Sequence, residues 1–303
     1  MAAIPTANDQ IPLLLIHGAW LSARSWDNYA DYFAKRGFVV SAPEWPRKHR
    51  DVEEMRETAE ESAGLGVQEI VDHYADLIGE LEQPPVLIGH SYLFVELLLD
   101  RGLGRAGVAM SPAPPKGILV LPFSTLKAGA PALAHPSKWH GVVTLTPEEF
   151  TYAFVNTFSP EDAAAAYERY AVPETGQIFY EAGFANFHLH PPTEVHFKNA
   201  GRAPLLIVGA TADHTVPASL ANAAYKRYEK SAAKTDYLEL LGSPGGSGTR
   251  PGSCWSCRSS SRSPRPANGR QPGGCFWGSW RSDSSSAQRP PCSLSPRNPW
   301  NNS

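Results

Sequence analysis

The sequence predicts an α/β fold with a mostly parallel central sheet and helices on both faces. Three observations carry that expectation. Short apolar runs closed by glycine or proline alternate with amphipathic stretches from IPLLLIHG (11–18) onward. The alternation stops between about 115 and 200 and resumes at PLLIVGA (204–210). Beyond residue 242 both signals vanish and the composition changes. Strand–helix alternation of this kind marks βαβ units, in which crossover helices cover a two-sided sheet.

Each element follows from its pattern. IPLLLIHG reads as a buried strand. SARSWDNYADYFAKRG (22–37) places Trp26, Tyr29, Tyr32 and Phe33 at helical spacing, with Gly37 as the stop signal. FVVSAP (38–43) is the next strand. Val67, Ile70, Val71, Tyr74, Leu77 and Ile78 then share one helical face before the proline pair at 84–85. VLIGHS (86–91) is a strand, FVELLLDRG a helix, and AGVAMSPAPP a strand entering a proline-rich loop. In the interruption, TPEEFTYAFVNTF and SPEDAAAAYERYA read as short capped helices, which suggests a helical cap inserted after the strand near 110. The strand PLLIVGA, the helix PASLANAAYKRYEKSA and the strand KTDYLELL (234–241) complete the core. The expected organisation is therefore core (1–114), cap (115–200), core (201–242) and a C-terminal extension (243–303).

Composition separates that extension from the rest. It carries eight arginines, no lysine and one acid, Asp283, a net +7, which leaves −10 for the remainder of a chain whose total is −3. All four cysteines (Cys254, Cys257, Cys275, Cys292) lie in it, and the body has none, as suits a reducing compartment. With no valine, isoleucine or methionine and only Leu294, it buries too little apolar surface to offset ordering entropy, so disorder is expected. Cys254 and Cys257 lack the second close pair of a zinc site, and no folded recognition element accompanies the arginines, so neither metal nor nucleic acid is expected. The N-terminus lacks the basic and apolar regions of a secretory signal, no stretch has the length of a membrane span, and a cytoplasmic location is the default expectation.

Three separated motifs carry chemistry. Gly89-His90-Ser91 joins a strand to a helix, the setting in which a serine is raised on a strained turn written G-x-S-x-G, although Leu93 stands where the closing glycine belongs. His17-Gly18-Ala19 follows the first strand. Asp213, in LLIVGATADHTVP, follows a later one. Residues 10 to 241 resemble the α/β-hydrolase family, in particular its cofactor-free serine esterase-like branch with a helical cap. The resemblance implies Ser91 as nucleophile, Asp213 as the acid that orients a histidine, and the Ala19 and Tyr92 amides as oxyanion donors. It implies no metal and no organic cofactor. Relatives continue Ser-Tyr-Gly-Gly, so a two-residue loss after Tyr92 would align LFVELLLDRG with their helix.

The same resemblance calls for a histidine after the last strand, and there is none after His214. A serine without its base is a weak nucleophile. The tail's composition is what an out-of-frame reading of a GC-rich gene would give, which sequencing across codons 238–260 tests. His214, His188 and His190 are the candidate substitutes; His17 and His90 read as packing or hydrogen-bonding residues. The expected function is hydrolysis of a small carboxylic ester or related acyl substrate, impaired in this chain. The alternatives are an inactive ligand-binding pseudo-hydrolase and a haloperoxidase- or hydroxynitrile lyase-like activity on the same scaffold. Cap aromatics such as Phe150, Phe154, Tyr180, Phe184 and Phe187 suit an apolar pocket or ordinary packing. Oligomeric state is not legible.

Overall fold

The computed structural model describes residues 10–49, 51–120 and 122–242, together with the backbone of 257–259. Strand β1 (Pro12–Ile16) leads through a 3-10 turn to α1 (Asp27–Ala34), and β2 (Val39–Ser41) follows. A short α2 (Val52–Glu57), capped by Asp51, and a long α3 (Val67–Gly79) precede β3 (Val86–His90). Next come α4 (Phe94–Asp100) and β4 (Ala106–Met110). The sheet order is β2-β1-β3-β4 and then β7 (Leu205–Ala210) and β8 (Thr235–Leu240), every neighbouring pair parallel. The helix α9 (Ala218–Tyr228) crosses from β7 to β8.

Side-chain alternation explains why both faces are covered. Leu13, Leu15, Ile88, Met110 and Val208 point to one face, where Trp26 and Phe33 close over them. Leu14, Leu87 and Ile207, a residue out of phase, are buried on the other, where α4 and α9 pack. There α4 comes very close. A Cβ at Gly89 would lie 2.7 Å from Val95 Cγ2, and one at Gly107 would lie 2.6 Å from Val95 Cγ1.

The cap lies between β4 and β7, as the broken periodicity predicts. It contains α5 (Phe123–Leu133), α6 (Pro147–Phe154), α7 (Pro160–Tyr170) and α8 (Gln177–Gly183). Thr146 and Glu149 form a reciprocal capping box on α6, and Ser159 caps α7. Antiparallel β5 (Val142–Val143) and β6 (Glu174–Thr175) tie the cap together at its base.

One stretch of the extension departs from the expectation of disorder: β9 (Cys257–Ser259) pairs antiparallel with β8. An edge strand presents unpaired backbone groups that any extended segment can satisfy, whatever its side chains, and composition does not register this. The rest of 243–303, including Cys254, Cys275 and Cys292, lies outside the described residues. Among the described residues no helix is long and apolar enough to cross a membrane.

Candidate functional site

In a parallel sheet the loops at the carboxyl ends of the strands converge on one edge, where ligands bind. The predicted site residues all leave strands at that edge: Ala19 just after β1, Ser91 and Tyr92 after β3, and Asp213 after β7. β3 and β7 are separated only by β4, so their axes are roughly 10 Å apart.

Ser91 has φ +68°. A non-glycine residue pays for that left-handed conformation in steric strain, and such strain concentrates at functional turns. The turn is pinned on both sides, with the Ser91 N–H donating to the Met110 carbonyl at 2.9 Å and the Ser91 carbonyl accepting from the Ala113 N–H at 2.7 Å. The side chain is half-buried, and among the described residues its hydroxyl has no hydrogen-bond partner. Gly18 packs directly on it, since a Cβ there would lie 2.6 Å from Ser91 Cβ and 3.2 Å from Ser91 Oγ.

The two expected oxyanion donors differ. Ala19 is buried in the turn beside Gly18, and among the described residues its N–H has no acceptor. The Tyr92 N–H bends back onto the His90 carbonyl at 2.8 Å. An oxyanion at Ser91 would have to share that donor. The Tyr92 ring is buried, stacks on Phe94 at 4.6 Å and donates its hydroxyl to the Ile178 carbonyl in the cap at 2.8 Å.

Asp213 is nearly buried and accepts from the Thr215 and Val216 amides at 2.8 and 2.9 Å. Burial pushes its carboxyl up to about 6, against the lowering effect of the Val216 amide, Ser111, the Thr215 amide and His214. Ser111 follows β4 directly, between the two site loops, and is itself left-handed, φ +46°. Sequence reasoning did not single it out, because a serine before prolines reads as an ordinary strand end.

Of the candidate substitute bases, His214 and His190 are engaged elsewhere and His188 lies on the surface. His214 donates from Nδ1 to the Tyr152 carbonyl at 3.0 Å and accepts at Nε2 from Asn156 at 3.1 Å, with its ring against Tyr152. His190 pairs with Glu194 on the surface, and His188 is exposed. His17 is fully buried, stacks on Trp45 and reaches Glu44 at 3.2 Å. His90 is buried, and burial drops its imidazole to about 4, so it is neutral at pH 7. Of the cap aromatics, Phe150, Phe154 and Tyr180 are buried, while Phe184 and Phe187 lie on the surface. Among the described residues no cluster of three or more His, Cys, Asp or Glu side chains is arranged to hold a metal ion.

Comparison with known proteins agrees with this architecture. The family model described as "Alpha/beta hydrolase family" matches residues 13–243, so the chain belongs to the α/β-hydrolase family. Among solved structures, a pyrethroid hydrolase from Sphingobium faniae superimposes with TM-score 0.55 at 18% identity, over 78% of this chain and 92% of that one. A monoacylglycerol lipase from Paleococcus ferrophilus gives 0.51 at 21% identity, over 77% and 84%. An extracellular α/β-hydrolase from a Paenibacillus species gives 0.51 at 19%, over 75% and 89%. No curated protein matches the sequence. At these identities the likeness is one of fold.

Proposed function

We propose that the chain is a serine hydrolase by descent, acting on a small carboxylic ester or related acyl substrate, with Ser91 as nucleophile and Asp213 as the acid of the triad. The observation that carries this is the left-handed Ser91 at a strand-to-helix turn, packed against Gly18. That arrangement sets the hydroxyl against Gly18, one residue before Ala19, whose backbone amide in this reading is the fixed dipole that stabilises charge growing on a carbonyl oxygen better than reorganising water does. In the reaction Ser91 Oγ bonds to the acyl carbon as its proton is lost to solvent water, the ester C–O bond breaks, and the alkoxide takes a proton from water and leaves as the alcohol. Water then releases the acid. Ala19 holds the oxyanion, with Tyr92 as a second donor competing with its bond to His90. The family's histidine base is missing from the sequence, so turnover is slow.

A fluorophosphonate probe tests the nucleophile. Labelling of the full chain that disappears in Ser91→Ala supports the reading; absence of labelling overturns it. The second reading is a ligand-binding pseudo-hydrolase, favoured by the engagement of both His214 ring nitrogens away from Ser91. It expects apolar-ester binding without labelling.

A further inference from the structure

The turn that carries Ala19 is held from both ends by two carboxylates with one lysine between them. Trp20, the next residue, has φ +59°, a strained conformation for a bulky side chain. Its N–H donates to Glu174 Oε2 at 3.1 Å, its carbonyl accepts from the Val172 N–H at 3.1 Å, and its indole N–H donates to the Val143 carbonyl at 3.1 Å. All three partners belong to the base of the cap. Glu174 is completely buried, takes a second bond from Lys48 Nζ at 2.7 Å, and accepts the Thr175 N–H at 3.0 Å on its other oxygen. At the far end of the turn, Glu44 accepts the Ala23 N–H at 3.0 Å and lies 3.2 Å from His17 Nε2. Burial alone would raise the Glu44 carboxyl; His17, the Ala23 amide and Lys48 together hold it below its ordinary value.

We propose that Glu174, held by Lys48, is a positioning residue that sets the conformation of the oxyanion turn and couples it to the cap. This rests on reading Ala19 as a donor to the reacting carbonyl. A buried ion pair is a weak source of net stability, because desolvation offsets the attraction, but it fixes geometry well. Here the geometry it fixes is a left-handed peptide one residue from the donor. Glu174 touches no reacting atom; it acts through Trp20.

Two measurements on the full chain test this. The first is hydrogen–deuterium exchange of residues 17–23. In Glu174→Ala the Trp20 amide is expected to exchange at least tenfold faster, with β3 and β7 unchanged. The second separates the maximal rate of fluorophosphonate labelling from the probe's apparent binding constant. Glu174→Ala is expected to lose at least tenfold in rate with binding altered less than threefold, and Glu174→Gln, which keeps an oxygen for the Trp20 N–H, to stay within threefold of the parent rate. A folded Glu174→Ala protein with unchanged Trp20 exchange or unchanged labelling rate overturns the proposal. If Glu174→Ala does not fold, Lys48→Met carries the test: acceleration confined to 17–23 supports the clamp, and uniform or absent acceleration overturns it. If the parent chain is not labelled at Ser91, the hydrolase reading fails, and the exchange result alone decides the clamp.

Discussion

Gly18 and Ser91 meet across the carboxyl edge of the sheet so closely that a Cβ on Gly18 would lie 2.6 Å from Ser91 Cβ and 3.0 Å from the His90 carbonyl oxygen. Neither neighbour can yield, because one is the strained turn and the other is backbone. Gly18→Ala is therefore expected to cost about 1–3 kcal/mol of stability, the usual range for overpacking, and to lower fluorophosphonate labelling at least tenfold. Thermal unfolding and labelling rates check both.

The close approach of α4 to the sheet makes a second, purely structural prediction. A Cβ at Gly107 would meet Val95 Cγ1 at 2.6 Å and Leu99 Cδ1 at 2.7 Å, whereas one at Gly79 would meet nothing within 4 Å. Denaturant titration should show Gly107→Ala destabilised by about 1–3 kcal/mol. Gly79→Ala should be neutral or stabilised by up to ~1 kcal/mol, because alanine lowers the entropy lost on forming a helix.

His90 predicts acid sensitivity. Its folded value of about 4 lies below the ordinary 6.5, so as pH falls the unfolded chain takes up the proton first. The corresponding stability is present above pH 6.5 and is lost as pH drops toward 4, on the order of 3 kcal/mol at full effect. His90→Gln should flatten this part of the stability–pH curve; an unchanged slope would contradict the buried neutral ring.

Glu96 predicts the opposite slope. It is buried on α4 and accepts a hydrogen bond from the Tyr228 hydroxyl at 2.9 Å. Burial raises its carboxyl to about 8, with Tyr228 and Arg202 lowering it only in part. Because the folded value lies above the ordinary 4.5, the unfolded chain loses the proton first as pH rises, and stability falls between pH 4.5 and 8. Glu96→Gln should remove that decline and be more stable than the parent at pH 8, by on the order of 4 kcal/mol.

Asp213 separates lineage from present activity. With no histidine to orient, Asp213→Asn should change labelling at Ser91 less than threefold. Asp213→Ala should lose about 1 kcal/mol of stability, because the Thr215 and Val216 amides lose their acceptor. A hundredfold drop in labelling for Asp213→Asn would mean that the carboxylate serves a base after all.

The six parallel strands and the helices α1, α3, α4, α6, α7 and α9 were legible because each has an apolar run, a period or a cap that local sequence displays. The positions of Ser91 and Asp213 just after β3 and β7 were legible because the strands before them are local signals too. Glu174 was not: in AVPETGQ it reads as a polar turn residue, and its partners Trp20 and Lys48 are 154 and 126 positions away. Glu96 was equally hidden. On a helix where Phe94 to Leu99 are all buried there is no polar face to mark the one carboxyl that has followed them inside. The helix α5 escaped because its alanines and glycine carry little periodicity, and α8 because its seven residues span only two turns.

The threefold attachment of Trp20 to Val143, Val172 and Glu174 has a mechanical consequence. Swinging the cap away as a rigid door would pull on the peptide next to Ala19, so the placement of the cap and the shape of that turn are mechanically tied.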